Sequence, residues 1–207
     1  MAAIAGGSAE AFATLFRRRQ GEVYRFAVHM TGSQAMADDV TQDVFLVVMR
    51  DAARYEPGRS TVAAWLCGIA RNCARQRLQR EHRLDQLQVE DGDGQRAPAV
   101  EPDPVSDMVM TERVDRLRRA VLALPLRYRE VVVLCNLQEL SYAEAADALA
   151  CAIGTVRSRL HRARSLLAAK MAAAEKAIAP PGTAAVAEQS AGAGSPAIRP
   201  SSRRCLA

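Results

Sequence analysis

Arg157, Arg159, Arg162, Arg164 and Lys170 follow one another with no acid between Cys151 and Lys170. Cations of one sign on one helix cannot neutralise each other, and the chemistry they favour is binding to a polyanion. The surrounding segment, LSYAEAADALACAIGTVRSRLHRARSLL at 140–167, has the order of a helix-turn-helix. Ser141 and Glu144 can start a short helix as a capping box, a tight connection follows at 150–152, and Gly154-Thr155 opens the second helix. With Val156, Leu160, Ala163 and Leu167 as its buried stripe, Arg157, Ser158, His161 and Arg162 fall on the outward side of the N-terminal half. That is the part of a recognition helix that reaches base edges. Arg157 or Arg162 can pair with guanine through two donors, while Thr155 and the helix start suit a phosphate. The plain alternative is a solvated basic face, but cap, turn and one-sided charge together favour DNA. His161 is not expected to hold a metal, because no Cys or His stands at ligand spacing.

A second constellation has the opposite sign. Asp38, Asp39 and Asp43 crowd the front of a helix that Ser33 can cap, whereas Arg71, Arg75, Arg77, Arg80 and Arg83 against Glu81 make the following helix basic. Clustered carboxylates are what a two-metal nuclease would offer, but no His, Lys or further acid completes a catalytic set. No catalytic residue, metal or cofactor is therefore expected. Asp39 and Asp43, four residues apart, form either a solvated helix end or a protein-docking face. Trp65, the only tryptophan, is a core anchor at helical spacing, or else a platform on which strand-separated DNA stacks.

These residues need helices to position them, and the composition supplies them. The chain has 207 residues, a formal net charge of +5, 49% hydrophobic and 25% charged residues, and only 4% aromatics. That balance excludes wholesale disorder, and a core rich in Ala, Leu and Val favours helices over sandwiches or barrels. Helices are predicted at about 9–30, 33–53, 60–83, 107–123, 126–137, 142–149 and 153–173, with Pro125 at the first helical position of its helix. The stretch Tyr55-Glu56-Pro57-Gly58-Arg59-Ser60 carries turn chemistry. Between 85 and 107, Asp85, Glu90, Asp91, Asp93, Glu101, Asp103 and Asp107 oppose the single base Arg96 amid Pro and Gly, the composition of a flexible acidic linker. The expected fold is all-α: a domain at 9–83, the linker at 84–106, a helix-turn-helix domain at 107–173, and a disordered tail at 174–207. No apolar run approaches the roughly 18 residues that cross a bilayer, and MAAIAGGSAEAF lacks a basic segment before an apolar one. A cytoplasmic protein is expected. The five cysteines form no C-x-x-C pair, and Cys67, Cys73, Cys135 and Cys151 are expected to act as small buried apolar residues.

DDVTQDVFLVVMRDAARYEPGRSTVAAWLCGIARN, at 38–72, resembles region two of bacterial RNA polymerase sigma factors of the extracytoplasmic-function type. LPLRYREVVVLCNLQELSYAEAADALACAIGTVRSRLHRARSLL, at 124–167, resembles their region four. Both blocks stand in the family order. The resemblance implies that Asp39, Gln42, Asp43 and Phe45 fall in the segment whose exposed members dock on the clamp helices of the polymerase largest subunit. It places Tyr55, Arg59 and Ser60 in the loop that captures an unstacked base of the minus-ten element, with Trp65 close by. Arg71, Asn72 and Arg75 then lie on the helix contacting that element. Arg157, Ser158, His161 and Arg162 match the minus-thirty-five reading positions, with Thr155 and Arg159 nearer the phosphates. Gln76 departs from the Asp that many members carry four residues after the Asn of I-A-R-N, and the tail from Ala177, with Arg203-Arg204, lies outside the family's two-domain layout. The implied partners are core RNA polymerase, promoter DNA and an anti-sigma factor. The implied activity is that of a non-catalytic specificity subunit, with a stand-alone helix-turn-helix regulator and a metal-dependent nucleic-acid enzyme as the rival classes.

Overall fold

The computed structural model describes residues 1–89 and 108–178, and every regular element among them is helical. A short α1 (Ala2–Ala5) precedes α2 (Ala9–Thr31), α3 (Gln34–Asp51) and α4 (Val62–Val89). The second group is α5 (Met108–Leu122), α6 (Leu126–Val132), α7 (Tyr142–Leu149) and α8 (Ile153–Ile178). The expected linker beyond Val89 and the expected tail beyond Ile178, with Cys205, lie outside the described residues.

The helix starts follow from side-chain chemistry. Ser8, Ser33 and Ser141 each accept a backbone N–H of the first turn, and Thr61 Oγ1 does the same for Ala64 at the start of α4. Glu144 reaches back to the Ser141 N–H at 2.9 Å, which completes the capping box anticipated from S-x-x-E. Gly32 ends α2 in the left-handed conformation, at φ 77°.

Four boundaries differ from the sequence expectation. Pro125 is the N-cap of α6 and not its first helical residue, with ψ 139°. The helix expected to run on to 137 changes at Val133 into a π turn over Val133–Leu137. α4 and α8 extend past 83 and 173, because Leu84 to Val89 and the alanines after Met171 contain no Gly or Pro to stop a helix. The four-residue α1 has no sequence periodicity to announce it; Ile4 is buried there.

α2, α3 and α4 pack mutually through Val23, Phe26, Ala27, Met30, Val40, Val44, Val48, Leu66, Ala70 and Ala74. α6 and α7 pack on α8 through Val131, Leu134, Ala145, Leu149, Val156, Leu160 and Ala163. The two groups also pack against each other, chiefly α4 on α7 and α2 on α5, so one apolar core spans both. At that junction a Cβ added to Gly32 would stand 2.8 Å from Leu122 Cδ1. Gly32→Ala is therefore expected to lower stability by about 1–2 kcal/mol from the left-handed backbone alone, with a further loss from displacing Leu122. Urea unfolding measures it, and an unchanged midpoint would contradict the packing at this turn.

Candidate nucleic-acid interface

α8 presents its charge as its sequence pattern requires. Val156, Leu160 and Ala163 are buried, Arg157, Ser158, His161, Arg162 and Arg164 are exposed, and Thr155, Arg159 and Leu167 are intermediate. Among the described residues, none of the arginines of this helix forms an ion pair. The α7–α8 connection is the three residues 150–152, turned by Ala150 in the left-handed conformation at φ 50°. Ser158 donates to the Thr155 carbonyl at 3.0 Å, and the Arg157 guanidinium lies 6.0 Å from the Tyr142 ring, at the edge of cation–π range. α7 thus steadies the base of the outward face, while the cations stay free for an anionic partner.

The loop ahead of α4 is folded by its own residues. The Tyr55 hydroxyl donates to the Ser60 carbonyl at 2.9 Å, its ring meets Trp65 edge-on at 5.7 Å, and Gly58 takes φ 92°. Trp65 is half-buried, so it serves as an anchor for the loop while keeping part of its ring open. Arg59 is exposed and pairs with Glu56 at 3.2 Å. Ser60, Trp65, Arg71 and Asn72 line a cleft of about 850 Å³ whose other wall comes from α7 and the turn after it. Asn72 is exposed and Arg75 half-buried, but the Arg71 side chain is only 13% exposed.

On α3 the acids do not stand alone. Arg77 of α4 bonds Asp43 through Nε at 2.9 Å and NH2 at 2.6 Å, and Asp39 through NH1 at 2.5 Å. The Arg77 guanidinium is held above its ordinary value by these two carboxylates, which outweigh its desolvation. Phe45 points inward. It is 3% exposed and meets Phe16 at 4.7 Å and Phe12 at 6.2 Å, so the outward set on this helix narrows to Asp39, Gln42 and Asp43.

The comparisons with known proteins agree with this layout. The Sigma-70 region 2 family profile matches residues 15–84, and that of Sigma-70 region 4 matches 115–167. The ECF RNA polymerase sigma factor EcfG of Rhodopseudomonas palustris is 34% identical over 144 residues, covering 70% of this chain and 76% of that protein. The chain belongs to the extracytoplasmic-function sigma factors. SigE of Mycolicibacterium smegmatis, of the same class, is 36% identical over 153 residues, 74% of this sigma factor and 58% of SigE. Among solved structures, the sigma factor RpoE of Bartonella quintana in complex with the anti-sigma factor NepR superposes with a TM-score of 0.63 at 26% identity, over 79% of this chain and 98% of that one. It is thus a member of a family that directs transcription initiation by RNA polymerase.

Two features of this sigma factor escape a reading of its motifs. Leu46 and Met49 are 56% and 59% exposed and share the α3 face of Asp39 and Gln42 at steps of three and four residues. Their signal was available, since both lie off the apolar stripe of Val40, Val44 and Val48. The other is Glu130, whose side chain is 2% exposed and pairs with Arg71 Nε at 2.9 Å and Arg75 NH1 at 3.6 Å. An acid placed three and four residues before Val133 and Leu134 in an apolar run is its only trace in the sequence. Cys67 is buried, and burial pushes its thiol up to about 12. Cys73, Cys135 and Cys151 are only partly buried, a correction to the expectation that all four are core residues.

The capping box carries its own pH dependence. The Ser141 backbone and hydroxyl, then Thr61, hold the Glu144 carboxyl below its ordinary 4.5. A depressed folded value means stability that is complete above 4.5 and lost as pH falls through the folded value. Glu144→Gln is expected to be less stable than wild type at pH 7, and the difference should close on acidification below 4.5, as followed by thermal melts. Ser141→Ala should cost about 1 kcal/mol at pH 7.

Proposed function

We propose that this sigma factor binds core RNA polymerase through the outward face of α3, engages the minus-ten element with the 55–61 loop and α4, and reads the minus-thirty-five element with α8. The observation that carries the reading is the outward face of α8, with its exposed arginines and no acid among them, on the same chain as a region-two unit. Arg157, Ser158, His161 and Arg162 are the base-reading candidates, with Thr155 and Arg159 toward phosphates. Tyr55, Arg59, Ser60 and Trp65 are assigned to an extruded base, and Arg71, Asn72 and Arg75 to the adjoining strand. Holding two boxes with one chain gains effective concentration from the tether, so modest contacts at each add up to useful selectivity.

The polymerase-facing set is Asp39, Gln42 and Asp43, joined by Leu46 and Met49; exposed apolar residues beside acids suit a basic helical partner. Phe45 supports that surface from beneath. The chain contributes specificity and no catalysis of its own, and it works in the cytoplasm, where polymerase and promoters are; no helix among the described residues is long and apolar enough to cross a membrane. The 9–83 and 107–173 divisions are the two working units. An anti-sigma factor is a further partner by analogy with RpoE and NepR.

Reconstitution with core polymerase and genomic promoter fragments is expected to yield specific initiation. Tight operator binding by the chain alone, without initiation, would instead favour a self-sufficient regulator. Asp39→Lys with Asp43→Lys should abolish polymerase binding, and retention of binding would remove α3 from the docking assignment. Arg162→Ala should weaken selectivity for the upstream box by about 1–3 kcal/mol if it pairs with a base, whereas an equal loss on every sequence would make it a phosphate contact.

A further inference from the structure

Arg77 stands apart from the arginines of α4 assigned to the minus-ten strand. It lies two positions beyond Arg75, a step that turns the two side chains to opposite sides of the helix, so Arg77 meets α3 while Arg71 and Arg75 meet Glu130. Its guanidinium straddles one turn of α3. Nε and NH2 donate to Asp43 at 2.9 and 2.6 Å, and NH1 donates to Asp39 at 2.5 Å. All three bonds end on Oδ2 oxygens, which leaves Oδ1 of each carboxylate outside the pair. The cation is also the most recessed member of the group, its side chain 26% exposed against 56% for Asp39 and 39% for Asp43. The acids stand outside it, on the face that carries the exposed Leu46 and Met49.

We propose that Arg77 is a positioning residue for polymerase docking, holding Asp39 and Asp43 in one arrangement with an oxygen of each presented to a basic partner. The inference rests on the reading of α3 as the polymerase-facing surface. Two carboxylates four residues apart on a helix repel each other, and each ranges over several rotamers when nothing holds it. Arg77 offsets the repulsion and locks both side chains, so docking does not have to order them. The planar fork matters as much as the charge, because it fixes the direction of several bonds at once, which the compact ammonium of a lysine does not. Arg77 also has an opposing effect: it cancels one of the two negative charges and weakens the long-range attraction of a basic partner. The two effects fall on different rates, since steering sets association and order at the contact sets dissociation. Loss of Arg77 therefore speeds dissociation, while association stays unchanged or becomes faster at low salt.

The test follows association and dissociation of the full-length chain on immobilised core RNA polymerase, at low and at moderate salt. Arg77→Met keeps an apolar stem and removes the fork. With the helical circular dichroism kept, its dissociation rate is expected to rise about tenfold, the effect of leaving two side chains to be ordered on binding, with no slower association. Arg77→Lys should recover only part of the loss; if the Met variant does not fold, the comparison of Arg77→Lys with wild type carries the test. The chain with Asp39→Asn and Asp43→Asn should itself bind more weakly, and adding Arg77→Met to it should cause no further loss, because the groups that Arg77 orders no longer carry charge. Wild-type dissociation or tighter binding by Arg77→Met overturns the positioning role, and so does wild-type dissociation by Arg77→Lys. A loss in the Asn background equal to that in wild type also overturns it, since Arg77 would then act on the fold alone. These failures leave α3 as the docking surface so long as the Asn chain binds more weakly. Should the Asn chain bind polymerase as wild type does, the docking reading fails and the inference with it.

Discussion

A carboxylate removed from water needs cations close by, and among the described residues Glu130 finds them on the other unit, Arg71 at hydrogen-bond distance and Arg75 just beyond it. This one requirement sets how the molecule is assembled. Arg71 and Arg75 must face α6, which turns α4 so that Gly68 meets α7 and Trp65 meets the cleft. Arg129, next in sequence to Glu130, extends the junction to α2 by donating to the Met30 carbonyl, and burial lowers its guanidinium from the ordinary value. Apolar contact between the units supplies adhesion, but it has no direction; the ion pairs fix the orientation.

The distribution of positive charge over the two basic helices follows from the same logic. Three arginines of α4 are paired internally, Arg77 with Asp39 and Asp43 and Arg71 and Arg75 with Glu130. Among the described residues α8 has no such partners, and Arg157, Arg162 and Arg164 lie exposed at the surface. Two helices that look alike in composition therefore differ in how their arginines are used: those of α8 face outward, whereas Arg71, Arg75 and Arg77 of α4 are held in ion pairs. The α3 acids show the converse, since Arg77 holds them in place while more than a third of each side chain stays exposed.

Polar groups at helix starts also act as connectors between elements. Thr61 caps α4 and donates to Glu144, while Glu144 closes the box on Ser141. Each of these bonds satisfies an N–H or hydroxyl that would otherwise need water, so a local requirement at a helix end is met by a contact 83 residues away in sequence.

Local chemistry alone determined the helices, their caps at Ser33 and Ser141, the 150–152 turn and the outward face of α8, because period and capping depend on residues within four positions of each other. The same pattern separated Val40, Val44 and Val48 from the exposed acids of α3. Phe45 escaped it, since only the packing of three rings decides that it turns inward. The pairing of Arg77 with Asp39 and Asp43, the occupation of Arg71 by Glu130, and the approach of Gly68 to Ala148 belong to the tertiary structure. Each joins residues more than 30 positions apart, and a charge in the sequence carries its sign but not the identity of the group that will neutralise it.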